Sequence, residues 1–262
     1  MKNFILGFLL FPLILILFYF GAKDIWYPYY EAYLMPPKLQ PLPCPILECN
    51  QTRDVTPSLT TERQFLKMPE PPLNSQQRLK RMLADSDFVL YPKRLTLIGL
   101  KHERQLEVWG ELLGKWRLIH TYNFTAYSGQ LGPKLREGDG QIPEGIYPIT
   151  YLNPNSKFHL SLRIGYPNSF DKRVARQDKR TNLGSDIMIH GSRVTSGCIP
   201  IGNDNIEELY FLAEKVGITN IKVILSPVDF RRRDVEIKDK KHLWLSELYT
   251  NISQELKPFI SQ

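Results

Sequence analysis

Residues 4–22, FILGFLLFPLILILFYFGA, form a run of 19 residues without a single charge. As a helix rising about 1.5 Å per residue it spans roughly 28 Å, close to the hydrocarbon thickness of a bilayer. The run exceeds the 7–15 apolar residues usual in a cleaved signal peptide, and Phe20 stands where cleavage before Lys23 calls for a small residue. It therefore reads as an uncleaved signal anchor, a transmembrane helix over 1–22, in preference to a removed leader. Lys2 precedes the run and Trp26, Tyr27, Tyr29 and Tyr30 follow it. This pattern orients the start inward and sets an aromatic cluster at the far interface. The rest of the chain then faces the outside, a periplasm or its equivalent.

After the run, residues 28–72 hold 10 of the chain's 20 prolines. Such a segment excludes a regular helix or a central strand. Residues 23–75 read as an extended stalk, with a partly ordered wrap around the following domain as the other reading. In an oxidising compartment Cys44 and Cys49 are close enough to close a small disulfide loop; two free linker thiols are the alternative. Cys198 is then the odd cysteine. Three cysteines also exclude a disulfide-dense scaffold and a four-cysteine zinc site.

Helical spacing over Ser75–Asp85, capped by Asn74 or Ser75, gives way from residue 94 to strand patterning. RLTLIGL, QLEVWGELL, WRLIHTYNF, GIYPITYL, FHLSLRI and SDIMIH, then NIKVILS, read as strands. Asp204–Glu207 resembles a capping box opening a helix to about Lys215, ended by Gly217. Residues 240–258 have helical apolar spacing. The organisation that follows is a mainly β domain over 76–228 and a helical C-terminal extension over 229–262.

The stretch 185–213 carries the chemistry. An apolar strand ends in His190-Gly191, and eight residues after His190 comes Cys198, preceded by Thr195-Ser196-Gly197. A thiol attacks only as thiolate, and a neighbouring imidazole can take its proton. Gly197 permits a tight turn, after which loop amides can face an oxyanion. Cysteine, histidine and a glycine-turned loop are the minimum set for acyl transfer. Nothing in the pattern calls for a metal or an organic cofactor. The net charge of +7 comes with interleaved acidic residues and no nucleic-acid motif, so it suits an anionic envelope or a solvated surface.

His190-Gly191 followed by Thr195-Ser196-Gly197-Cys198 resembles the signature of the L,D-transpeptidase catalytic domain (YkuD-like), the cysteine enzymes of bacterial peptidoglycan. Gly132–Tyr147, GPKLREGDGQIPEGIY, resembles the family's Thr-Pro-x-Gly-x-Tyr segment in a longer form, with Ile142 where Thr is common. FHLSLRIGYPNSFDKR, 158–173, resembles a short-loop subfamily that includes enzymes acting on peptidoglycan–lipoprotein links. The resemblance covers about 92–226. Ser196 and Pro200 stand where many members carry His and Arg.

The resemblance implies a β-sandwich-like catalytic fold and an enzyme of the inner (cytoplasmic) membrane. Cys198 would attack the carbonyl of diaminopimelate in a stem tetrapeptide, with His190 as base. The Gly197 and Cys198 amides would be oxyanion donors and the Gly191 carbonyl the orienter of His190. The thioester would pass to an amine acceptor, giving a cross-link or a lipoprotein attachment; with water the same chemistry is hydrolysis. A non-catalytic peptidoglycan-binding scaffold is the reading outside the enzyme class. Substrate-side candidates are His159, Tyr166, Arg173 and Arg176, with Ser192 and Thr195 orienting the loop. Arginines suit the carboxylates of a diaminopimelate stem.

Overall fold

The structure, a computed structural model, describes residues 73–235 and 241–260. The 1–22 anchor, all but the last three residues of the 23–75 stalk, and the Cys44–Cys49 pair lie outside the described residues. Among the described residues no helix is long and apolar enough to cross a membrane.

Eight strands make the frame: β1 (Leu95–Leu100), β2 (Gln105–Leu112), β3 (Lys115–Asn123), β4 (Gly145–Ser156), β5 (His159–Ile164), β6 (Met188–His190), β7 (Ile199–Pro200) and β8 (Ile221–Ser226). Their order across the sheet is β3-β2-β1-β8-β4-β5-β6-β7. The pairings β1–β8 and β6–β7 are parallel and the others antiparallel. β1 and β8 are central and covered on both faces, which is why LTLIGL is buried throughout. Its alternate residues serve two cores: Leu95 and Leu97 join one, Ile98 and Leu100 the other.

The β-sandwich expectation is corrected to one continuous sheet. β4 is 12 residues long. Its first four residues, Gly145–Pro148, pair with β8, and from Ile149 onward it pairs with β5 across two irregularities. One strand thereby serves both halves of the sheet. Both halves share a core, with Leu97, Val108, Ile149, Leu162, Ile189 and Ile199 in one cluster.

Among the described residues four α-helices flank the sheet: α1 (Ser75–Asp85), α2 (Ser169–Gln177), α3 (Asn203–Val216) and α4 (Leu245–Leu256). α1 starts at a capping box between Asn74 and Gln77 and buries Leu79, Met82 and Leu83. Its core also takes Ile206, Leu209 and Leu212 of α3. α4 buries Leu248, Ile252 and Leu256 against Ile98, Trp109 and Ile224 on the opposite face. Burying each such side chain stabilises the fold by about 1.5–3 kcal/mol. Residues 244–259 therefore share a core with the sheet.

The capping box expected at Asp204–Glu207 is absent. The N-cap of α3 is Gly202 and makes no side-chain cap bond. Asn203 instead accepts from the Ser192 amide, and Glu207 is drawn to His159. The strand expected over 185–190 shortens to three residues, because Asp186 has φ +57° and breaks extended backbone.

Candidate active site

β6 ends at His190 and runs parallel to β7, with Ile189 opposite Ile199 and His190 opposite Pro200. Cys198 directly precedes β7, two residues before the partner of His190. Diagonal neighbours across adjacent strands lie roughly 8 Å apart at Cα, and this parity gives Cys198 and His190 one side of the sheet. The imidazole is 1% exposed. Its Nδ1 lies 2.5 Å from the Gly191 carbonyl oxygen. A carbonyl only accepts, so Nδ1 carries the proton and Nε2 keeps a lone pair. The Phe158 ring packs on the imidazole with centroids 4.7 Å apart. Burial pushes the His190 pKa down, partly offset by the Gly191 bond. Gly191 itself has no room for a side chain: a Cβ would meet Asn203 Oδ1 at 2.6 Å and the Phe158 carbonyl at 2.7 Å.

The loop before β7 is held by hydroxyls. Thr195 Oγ1 donates to the Cys198 carbonyl at 2.7 Å and accepts from the Cys198 amide at 3.0 Å. Gly197 N–H donates to Ser128 Oγ at 2.7 Å, and Ser128 Oγ donates to the Gly140 carbonyl at 2.9 Å. Gly197 has φ +96°, and a Cβ there would stand 2.8 Å from the Gln141 carbonyl oxygen. The Gly197 and Cys198 amides are thus both engaged. At rest each is taken by a hydroxyl.

The half-buried Cys198 thiol donates to the Asp186 carbonyl at 3.6 Å. Among the described residues no hydrogen bond joins it to His190. Burial pushes the thiol pKa up, and the Asp186 carboxylate adds to this; the Met188 amide and the Lys134 charge pull the other way. Both shifts favour the neutral form of the group concerned.

The loop candidates Ser192 and Thr195 lie at this turn. Ser192, at φ +67°, donates its amide to Asn203 Oδ1 and accepts from Thr125 Oγ1. A cavity of about 380 Å³ between the loop and α3 is lined by Thr125, Ser192, Arg193, Gly202 and Asn203, among others. The other candidates lie elsewhere. His159 is paired with Glu207 at 2.7 Å, and its neighbour Phe158 is what reaches the imidazole. Tyr166 is a core residue whose hydroxyl donates to the Leu183 carbonyl. Arg173 sits on α2, bonded to Glu247 and stacked on Phe170, and Arg176 is exposed on the same helix.

Sequence reasoning misses Phe158, Ser128, Asp186 and Arg163. Arg163 pairs with Asp186 at 2.7 Å and lies opposite Met188 in the sheet. Phe158, Arg163 and Asp186 lie in quoted stretches and Ser128 does not, and nothing in a linear pattern marks a carbonyl such as that of Asp186.

Residues 101–224 match the family model described as YkuD, the L,D-transpeptidase catalytic domain. This segment is an L,D-transpeptidase-type catalytic domain. It falls inside the 92–226 stretch that carries the sequence resemblance. "Putative L,D-transpeptidase YafK" of Escherichia coli (strain K12) is 31% identical over 161 residues, 60% of this chain and 61% of that protein. The match therefore spans about three-fifths of the relative's length. Among solved structures, the helical cell shape determining protein Pgp2 of Campylobacter jejuni is 25% identical, over 55% of this chain and 50% of its own, with a TM-score of 0.43. Bd1075 of Bdellovibrio bacteriovorus is 24% identical, over 63% and 55%, with a TM-score of 0.38. The L,D-transpeptidase segment takes in His190, Cys198 and the engaging Ser128, and leaves α1 and α4 outside it.

Proposed function

We propose that the chain is a cysteine acyltransferase of peptidoglycan, anchored in the cytoplasmic membrane by residues 1–22 with its catalytic domain outside. The observation that supports this most is that Cys198 directly precedes β7, the parallel neighbour of the strand that His190 ends, with His190 Nε2 left as a base. The family of residues 101–224 and its similarity to YafK support the substrate class.

In this reading the donor is a stem tetrapeptide. The thiol proton passes to His190 Nε2 as sulfur attacks the carbonyl carbon of diaminopimelate. A C–S bond forms and the carbonyl electrons move to oxygen. Collapse of the tetrahedral intermediate breaks the C–N bond to D-Ala, whose amine takes the proton from His190. A thioester on Cys198 remains. An acceptor amine, from a second stem or an envelope lipoprotein, then attacks the thioester carbonyl and gives a proton to His190; the new C–N bond stays, the C–S bond breaks, and the proton returns to the Cys198 sulfur. The oxyanion competes with Ser128 Oγ and Thr195 Oγ1 for the Gly197 and Cys198 amides. Hydrogen bonds to a charged acceptor are roughly twice as strong as neutral ones, which favours the exchange.

Incubation with tetrapeptide muropeptides and an amine acceptor tests this. Products with the acceptor mass are the expected outcome. Hydrolysis products alone would replace transfer by hydrolysis with the same thioester. The engaged amides favour a second reading, a non-catalytic scaffold; there Cys198→Ala would bind sacculi as the wild type does, and neither protein would turn over.

A further inference from the structure

Three residues distant in sequence meet where water is excluded. Lys101, just after β1, donates through Nζ to the Gly132 carbonyl at 2.7 Å, the Ile142 carbonyl at 2.9 Å and Glu144 Oε1 at 2.9 Å. Glu144 Oε1 also accepts from the Gly132 amide at 2.7 Å. Its Oε2 accepts from the Tyr249 hydroxyl of α4 at 2.9 Å. The Lys101 and Glu144 side chains are 0% exposed. A buried ion pair is weak evidence of stability, since apolar replacements of like volume are often as stable. What this pair holds is therefore the more informative question.

It holds the loop that shapes the thiol. Gly132, Ile142 and Glu144 are the points where the ammonium and carboxylate grip the 125–144 segment. Between them Gln141 Oε1 accepts from the Gln130 amide at 2.7 Å. The same segment presents Ser128 Oγ to the Gly197 amide and the Gln141 carbonyl to the Gly197 Cα. One ammonium thus fixes the wall against which Gly197 and Cys198 turn, and the carboxylate that completes it is held from α4. That helix lies outside the 101–224 segment.

We propose that Lys101, Glu144 and Tyr249 are positioning residues through which the C-terminal helix sets the place of the Cys198 loop. The inference rests on the reading of Cys198 as the reacting thiol. Without the Tyr249 hydroxyl, Glu144 Oε2 loses that donor in a dry site and the carboxylate shifts. Lys101 follows it, and the grip on Gly132 and Ile142 loosens. The thiol then becomes less buried while its alignment for attack is lost.

The test uses the full chain carrying Tyr249→Phe, with Glu255→Gln as control. Glu255 ties the same helix to β8 through an exposed pair with Lys222. One readout is the pH profile of Cys198 alkylation by iodoacetamide, followed by mass on the Cys198 peptide. The other is kcat and KM for D-Ala release from tetrapeptide muropeptides. Tyr249→Phe is expected to lower kcat about tenfold with KM within about twofold, and to move the alkylation midpoint to lower pH. The control is expected to move neither. Wild-type behaviour of Tyr249→Phe in both readouts, or equal changes in the two variants, overturns the proposal. Should Tyr249→Phe melt below the assay temperature, the double variant Lys101→Met/Glu144→Leu removes both charges together. Folded with an altered alkylation profile it supports the proposal; folded with the wild-type profile it overturns it. If the wild type releases no D-Ala, the functional reading fails, and the alkylation arm still decides this one.

Discussion

The backbone amide of Gly197 donates to the hydroxyl of Ser128, 69 residues earlier in the chain, at 2.7 Å. The neighbouring amide, that of Cys198, is taken by Thr195 Oγ1. At rest the loop keeps its donors on hydroxyl groups, which hold it in shape.

Thr195 serves the Cys198 peptide twice, so Thr195→Val leaves one donor and one acceptor without that partner. Each such group costs about 1–3 kcal/mol when buried. The expected result is a lower melting temperature and at least a tenfold loss of D-Ala release, with Thr195→Ser close to wild type. A loss in Thr195→Ser with wild-type behaviour of Thr195→Val would assign the effect to the methyl group instead.

Gly197→Ala forces a side chain into a left-handed backbone facing the Gln141 carbonyl oxygen at 2.8 Å. The strain is about 1–3 kcal/mol, and the backbone has no flexible side chain to yield. Loss of turnover with a fold retained by circular dichroism is expected. Gly114 also has a positive φ, +78°, but meets nothing within 4 Å. Gly114→Ala should therefore cost stability alone.

The pair should be neutral across an intermediate pH window. Burial holds the Cys198 thiol above its ordinary value and His190 below its own. The stability Cys198 contributes is present below about pH 8.5 and is lost as pH rises through its raised folded value. That of His190 is present above about pH 6.5 and is lost as pH falls through its depressed folded value. Alkylation of Cys198 should rise with pH, with a midpoint above about 8.5. A midpoint below 7 would show a thiolate already present at rest.

Much of the frame is legible in the sequence because burial and period agree there. β1, β2 and β8 are strands whose alternate residues enter two cores, and the α1 capping box is written in Asn74 and Gln77. α2 was hidden: it is nine residues long and buries only Val174 and Ala175, so no apolar period marks it. Its signal was the spacing of Asn168 and Asp171, which make a second capping box. At the site, His190, Cys198 and Gly197 carry side-chain or turn signatures. The Asp186 carbonyl and the Ser128 hydroxyl act through long-range contacts that no local pattern encodes.

Asp171 gives a pH signature away from the site. Burial pushes its pKa up to about 6, outweighing the Asn168 amide and the Tyr147 hydroxyl, which favour the charge. Its contribution to stability is fully present below about pH 4 and is lost as pH rises through about 6. Asp171→Asn keeps an acceptor for the Asn168 amide and cannot ionise. Denaturant midpoints of the variant should lack the decline that the wild type shows between pH 4 and pH 6.5. Parallel profiles would place that ionisation elsewhere.

The most direct measurement is the intact mass of the protein mixed with a tetrapeptide muropeptide and quenched in acid. The account predicts an adduct equal to the muropeptide less D-Ala, localised to Cys198 and absent from Cys198→Ala and His190→Asn. Turnover by Cys198→Ala at the wild-type rate would contradict it.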